Sequence, residues 1–155
     1  MDCMVDDRRF MDLALAQAAA AAEIGEVPVG AVVVCDGEVI SQAHNRRELD
    51  ADPTAHAELI AMREAAKKIG DWRLEDCTVY VTLEPCAMCA GLMVNARVKR
   101  CVYAASDPRG GFLGTLGDLS SHPVLNHRFE VTAGVQAEEA AEVLRSFFRR
   151  VRNKK

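Results

Sequence analysis

Thr78-Val-Tyr-Val-Thr82, then Leu-Glu-Pro85-Cys86-Ala-Met-Cys89-Ala-Gly-Leu92-Met93-Val-Asn-Ala96, then Arg100-Cys-Val-Tyr-Ala104 decides the architecture of this chain. The β-branched and aromatic run 78–82 reads as a strand. Pro85-Cys86 opens a helix, since proline fits a first turn whose N–H groups have no intrahelical partner. Met88, Leu92 and Met93 carry that helix to about Ala96, and the apolar run 100–104 is the next strand. A helix between two strands is a crossover, so the chain builds a sheet with helices packed on it.

Working outward, Phe10–Ile24 places Phe10, Leu13, Ala14, Ala18, Ala21 and Ile24 near one helical face. Asp6 or Asp7 caps its start and Gly25 ends it. Val29–Cys35 and Glu38–Ala43 flank Asp36-Gly37, a hairpin signal. Gly30-Ala-Val-Val-Val34 is continuous rather than alternating, so that strand is expected to be buried on both faces. Asp52-Pro53-Thr54 starts a second helix through Ile69, with Gly70 as its stop. A glycine-rich surface loop spans Asp107 to Gly117, and Phe129–Ala133 is a short fifth strand. The last helix runs from Ala137 to about Val151, with Ala140, Leu144, Phe147 and Val151 as its core stripe. The order αββαβαβ(β)α predicts a three-layer α/β/α sandwich with a central mixed five-stranded sheet. One domain over residues 1–155 is expected, because no linker, repeat or low-complexity tract interrupts it.

No apolar run approaches the roughly 20 residues that span a bilayer. The acidic start lacks a basic-then-apolar leader, so a cytoplasmic protein without membrane attachment is expected. Its six cysteines are then expected to be reduced. Cys86 and Cys89 have metal-type spacing; Cys3, Cys35, Cys77 and Cys101 read as small buried hydrophobes. The net charge of -4 hides an asymmetry: residues 1–96 carry 8 Lys/Arg against 17 Asp/Glu, and residues 97–155 carry 11 against 6. A local basic surface on an acidic protein is therefore permitted.

Cys86 and Cys89 stand at i, i+3 of a first turn, where both reach one point, and a helix N-terminus favours thiolate. His56 is the natural third ligand of a catalytic zinc, which takes three protein donors and leaves a position for water. Glu58 follows two residues later. Positions i and i+2 diverge within a helix, so the pair converges on one metal only at a helix mouth, as Pro53 and Thr54 suggest. Glu58 is then a proton carrier beside the metal and not a ligand. A structural zinc site needs a fourth ligand, and His44, His122 and His127 lack ligand spacing. A thioredoxin-like redox pair would leave His-x-Glu without a role. One catalytic Zn2+ per chain is the reading that uses all four residues.

His56-Ala-Glu58 with Pro85-Cys86-Ala-Met-Cys89 is the H-x-E…P-C-x-x-C signature of zinc nucleobase deaminases. With Val27-Pro-Val-Gly30, Asn45, Asp52-Pro-Thr-Ala-His56, Thr82-Leu-Glu84, Asp107-Pro-Arg-Gly-Gly111, Asn126-His-Arg128 and Phe147-Phe-Arg149, the chain resembles the bacterial tRNA-specific adenosine deaminases of the cytidine-deaminase-like superfamily. The resemblance implies a homodimer that converts the wobble adenosine of a tRNA anticodon stem-loop to inosine. Zinc-activated hydroxide adds to C6 of a flipped-out adenine, and Glu58 passes protons to the ring and then to departing ammonia. The resemblance also implies that Val27 and Asn45 line the base pocket, while Asp107, Arg109 and Asn126 belong to the region contacting neighbouring nucleotides. Arg109 stands where relatives often carry lysine, which keeps a phosphate contact with altered geometry.

The last helix supports an RNA partner from its residues alone. Arg145, Arg149 and Arg152 fall on one side, away from the Leu144/Phe147/Val151 stripe, with Phe148 between the two faces. Phe148 is placed to stack on a base while the arginines meet phosphates; the alternative is a solvated basic helix end. Trp72 reads as a packed loop aromatic, Met88 and Met93 as core or dimer surface, and Glu84 as structural. A deaminase of a free base, nucleoside or nucleotide shares the zinc motif but has no need of the basic helix. A non-catalytic zinc-stabilised RNA-binding module has no use for Glu58.

Overall fold

Asp36-Gly37 closes a hairpin between β1 (Gly30–Cys35) and β2 (Glu38–His44). Both turn residues have positive φ, 51° and 79°, as a type I′ turn requires. β1 also pairs antiparallel with β3 (Cys77–Leu83), β3 parallel with β4 (Arg100–Ala105), and β4 parallel with β5 (Glu130–Ala133). The result is one mixed five-stranded sheet, ordered β2-β1-β3-β4-β5. Among the described residues four helices accompany the sheet: α1 (Cys3–Glu23), α2 (Ala57–Ile69), α3 (Ala87–Asn95) and α4 (Ala137–Asn153). The computed structural model describes residues 3–154, with side chains from residue 6 onward.

Alternation along the strands sorts the core into two layers. Val33, Val79, Val81 and Cys101 pack with Ala61, Met62 and Ala65 of α2 and Met93 and Val94 of α3. Val32, Tyr80, Val102 and Ala104 face the other way, against Phe10, Met11 and Ala14 of α1 and Ala140 of α4. Both faces of β1 are covered, and the α/β/α sandwich read from the sequence is the fold. α1 lies so close to β1 that a Cβ at Gly30 would sit 2.0 Å from the Ala14 carbonyl oxygen. Glycine at 30 and alanines along α1 set that spacing.

Several local expectations change. α1 starts at Cys3, so Asp6 and Asp7 lie inside the helix and do not cap it. Asp7 is buried, and its carboxylate accepts from Arg100 Nη1 (2.9 Å) and Nη2 (2.6 Å) and from the Tyr80 hydroxyl (2.7 Å). Ile24 is exposed, because α1 ends at Glu23 and Gly25 (φ 84°) turns the chain away. Val151 is likewise exposed, while Ala140 and Phe147 of the expected stripe are buried and Leu144 is half-buried. Trp72 is exposed with the Arg73 guanidinium 4.4 Å over its ring. Met93 is core, and Met88 stays partly exposed. Cys77 and Cys101 are buried and Cys35 half-buried; burial and the neighbouring Cys35 push the Cys77 thiol up to about 12. The Cys3 side chain lies outside the described residues. Among those residues no helix is long and apolar enough to cross a membrane.

The Asp7 pair makes a pH prediction. Burial raises the Asp7 pKa, but the Arg100 and Tyr80 hydrogen bonds outweigh it and hold the carboxyl below its ordinary value. A depressed folded-state pKa gives stability that is present above the unfolded pKa of about 3.9 and lost as pH falls through the folded value. Asp7→Asn, which removes the buried carboxylate that accepts from Arg100 and Tyr80, is expected to cost about 1.5–3 kcal/mol at neutral pH, the range for hydrogen bonds to a charged group. The gap to wild type should narrow in acid-denaturation curves below pH 4. A gap constant with pH would show that the Asp7 charge contributes nothing.

Candidate metal centre and substrate cavity

Two helix N-termini meet at one end of the sheet. α2 begins at Ala57, four residues after Pro53 and later than the sequence suggests. Asp52 Oδ1 accepts from the Thr54 amide (2.8 Å) and hydroxyl (2.7 Å), so a side-chain-closed turn occupies the segment that the proline pattern assigns to the helix. His56 is thereby the N-cap residue, with extended backbone (φ -78°, ψ 148°), and Glu58 sits in the first turn. Cys86 is the N-cap of α3 in the same conformation (φ -75°, ψ 176°), and Cys89 follows in the first turn. The helix-mouth placement needed for His56 and Glu58 to converge is present. Neither N-cap side chain bonds back to its own helix, so all these side chains are free to face one another.

His56 Nδ1 lies 3.7 Å from Cys86 Sγ and 3.7 Å from Cys89 Sγ. The three donor atoms lie within 4.8 Å of one another, the one such group among the described residues. Tetrahedral zinc with Zn–S of about 2.3 Å and Zn–N of about 2.0–2.1 Å would separate sulfur from nitrogen by about 3.6 Å. The donor set therefore fits zinc in kind, number and spacing. Between themselves the thiols divide one proton: the Cys89 S–H and then His56 hold Cys86 down to about 3 against its burial, and Cys89 rises correspondingly. A divalent cation removes that conflict by stabilising both thiolates. The Cys86 contact raises His56 in turn.

Glu58 is buried, and desolvation pushes its carboxyl up to about 7 against the opposing pull of backbone bonds and His56. It opens onto a cavity of about 170 Å³ with His56 and Cys86 on the same wall. Val27 and Asn45 line this cavity, as the resemblance implies. Asn45 is held rigidly: its Nδ2 donates to the Val27 carbonyl (3.2 Å) and its Oδ1 accepts from the Arg47 amide (3.0 Å). Asp107 reaches the same cavity, as do Arg47 and Glu84, which sequence reading does not place there. Glu26, also missed, is buried and accepts from the Glu48 (3.1 Å) and Leu49 (3.0 Å) amides, tying the Val27 segment to the Arg47 loop. Its partners are 22 and 23 residues away, beyond any local pattern.

The remaining expected contacts lie outside the cavity. Arg109 is exposed, its amide donating to Asp107 Oδ1 (3.0 Å). Asn126 accepts from Arg97 Nη1 (3.5 Å) beyond the far end of α3. The nine residues of α3 put about 13 Å of helical rise between that point and the cysteines. Phe148 is 44% exposed and packs edge-on against Phe147 at 5.4 Å. Arg149 donates to Glu142 (2.7 Å), and Arg145 pairs with Glu142 (3.0 Å) and Glu138 (3.5 Å). Part of the basic stripe is thus neutralised on its own helix, whereas Arg150 and Arg152 carry no ion pair among the described residues. Phe147, Arg150, Val151 and Lys154 border a shallow depression with Gly25, which brings the end of α4 beside the segment leading to Val27.

Comparison with known proteins agrees with this geometry. A family model described as MafB19-like deaminase matches residues 5–152. A Bacillus subtilis (strain 168) protein named tRNA-specific adenosine deaminase is 49% identical over 152 residues, 98% of this chain and 94% of that protein. A solved structure from a study of A-to-I editing by tRNA:A34 deaminases superposes with a TM-score of 0.85 at 44% identity, covering 88% of this chain and 99% of that one. A guanine deaminase from Nitrosomonas europaea shares the fold alone, with a TM-score of 0.78 at 24% identity over 90% of this chain and 83% of that one.

Proposed function

Because this chain belongs to the MafB19-like deaminase family, we propose that it hydrolytically deaminates the wobble adenosine of a tRNA anticodon to inosine. The observation that carries the reaction is a buried glutamate, Glu58, facing the same cavity as the His56 and Cys86 donors. The tRNA substrate is taken from the names of the relatives at high identity. His56, Cys86 and Cys89 would hold a zinc ion, which would supply an acidified water for addition to C6 of adenine. Glu58 would accept one proton as the water adds and pass it to the ring nitrogen, then take the proton of the new C6 hydroxyl and pass it to the amino group, which leaves as ammonia. Its burial keeps solvent from competing for the proton. Val27 and the doubly anchored Asn45 hold the base flat against this centre.

The anticodon nucleotides beside the target base extend over Asp107 and Arg109, and toward the end of α4 at Phe148, Arg149 and Arg152. Asn126 contacts RNA only at a greater distance from the metal. Two copies form the working unit, as the resemblance implies, and Met88 at the mouth of α3 is an exposed apolar side chain suited to that contact. A tRNA substrate places the protein in the cytoplasm.

The test offers the purified protein an ACG anticodon stem-loop and, separately, free adenosine and cytidine. Inosine is expected in the stem-loop alone; uridine from cytidine, or equal turnover of free adenosine, overturns the tRNA reading. Phe148→Ala is expected to weaken stem-loop binding by about 1–3 kcal/mol, the worth of one base stacked on an aromatic ring. Deletion from Arg149 removes five of the cationic residues. The slope of log affinity against log salt should then flatten by roughly 0.7–0.9 for each phosphate that the shortened helix no longer neutralises. Zinc content should be unchanged in both variants. A deaminase of small substrates would be indifferent to either change.

A further inference from the structure

Glu84 is a buried acid, 2% exposed, with no ion pair among the described residues. It follows β3 directly, its amide bonded to the Ala105 carbonyl at 2.8 Å. Every donor to its carboxylate comes from the loop after β4. Oε1 accepts from the Asp107 amide (3.1 Å) and from the Thr115 hydroxyl; Oε2 accepts from the amides of Leu113 (3.1 Å) and Thr115 (3.1 Å). The loop passes so close at Gly111 that a Cβ there would lie 2.3 Å from the carboxylate carbon. Two oxygens with four lone-pair sites thus meet four donors. The same side chain lines the catalytic cavity beside Asp107. Proton transfer by Glu58 makes no use of it.

We propose that Glu84 is a positioning residue for RNA: its carboxylate fixes Asp107 at the cavity rim and so sets how tightly the nucleotides flanking the target base are held. This rests on the tRNA reading above. The atoms make the claim selective. In Glu84→Gln the amide group cannot replace Oε2, where it would face two N–H donors. It takes the Oε1 position, where the Thr115 hydroxyl can turn round and accept. The Asp107 amide alone is then left without its acceptor, while Leu113 and Thr115 keep theirs.

The experiment compares wild type, Glu84→Gln, Asp107→Ala and the double variant, each loaded with zinc. Amide hydrogen exchange in Glu84→Gln is expected to accelerate at Asp107 and to stay slow at Leu113 and Thr115. With the ACG stem-loop, KM should rise roughly 10-fold, the size of one charge-assisted hydrogen bond, and kcat should change far less. The double variant should be no worse than Asp107→Ala, because residues acting through one contact are not additive. Unaltered exchange at Asp107, a loss confined to kcat, or effects that multiply in the double variant each overturn the proposal. Should Glu84→Gln not fold, Gly111→Ala displaces the whole carboxylate. Exchange is then expected to accelerate at Asp107, Leu113 and Thr115 together, with KM raised and kcat changed far less. Slow exchange at Asp107 or a loss confined to kcat overturns the proposal. Thr115→Val deletes only the hydroxyl and is expected to leave KM near wild type; a rise equal to that of Glu84→Gln overturns the assignment. Absence of inosine with wild type would overturn the tRNA reading instead, and the exchange pattern would still decide whether Glu84 holds Asp107.

Discussion

Glu58→Ala is expected to bind one zinc per chain, fold normally, and lose about 10²–10⁴-fold in kcat, the range for removing a general acid–base group. The upper end applies, since the one carboxylate serves at least two proton transfers in the proposed sequence. The reason zinc is retained is geometric. The three donor atoms His56 Nδ1, Cys86 Sγ and Cys89 Sγ already form a complete set with tetrahedral spacing, and Glu58 is not part of it. Its carboxylate faces the cavity and not a neighbouring element of the fold's two apolar layers. Metal analysis and single-turnover conversion of a stem-loop check both halves together. Zinc lost along with activity would make Glu58 a ligand; activity retained would leave the reaction without its proton carrier.

Replacing a donor has the opposite signature. Cys89→Ser and His56→Ala are expected to lose most bound zinc and, with it, measurable inosine formation. Stability should fall too, because a ligand bound to the native state alone stabilises it by about 4 kcal/mol when present at 1,000 times its Kd. Cys89 is the more damaging position, being fully buried where an uncoordinated hydroxyl finds little water. Thermal unfolding with and without a chelator separates the contributions: chelation should lower the Tm of wild type and leave both variants nearly unmoved. Full zinc occupancy in either variant would falsify the ligand assignment.

The parts of this protein legible in its sequence are those written in local chemistry. Asp36-Gly37 announces a hairpin because few residues adopt two successive positive φ angles. Gly30 to Val34 announces a strand covered on both faces by having no polar alternation. His56, Glu58, Cys86 and Cys89 are readable because metal ligation demands particular side chains at particular intervals. Local pattern fails where a partner lies far along the chain. Asp7 looks like a helix cap until Arg100, 93 residues on, folds against it. Glu84 reads as structural and Glu26 carries no local signal, but neither pattern shows the partners, because each is buried by loops that return from a distance. The start of α2 is misplaced for a different reason: Pro53 suits a first helical turn, but the Asp52 side chain competes for the Thr54 amide and closes a turn instead. On α4 the helical period places Phe148 and the arginines correctly around the axis. It does not show that Glu142 ties up two of them.

The Asp36-Gly37 turn has a practical use that follows from strand direction. Gly30 begins β1 at the cavity end of the sheet, and its amide donates to the Thr82 hydroxyl just ahead of Pro85. β1 then runs away from the metal site for six residues, about 20 Å at the usual strand rise. The turn that ends it is a solvent-facing tip at the opposite pole of the molecule. A fluorophore, an affinity tag or a tethered second domain inserted there would leave the RNA-facing end open, while the two paired strands of the hairpin hold its attachment point rigid.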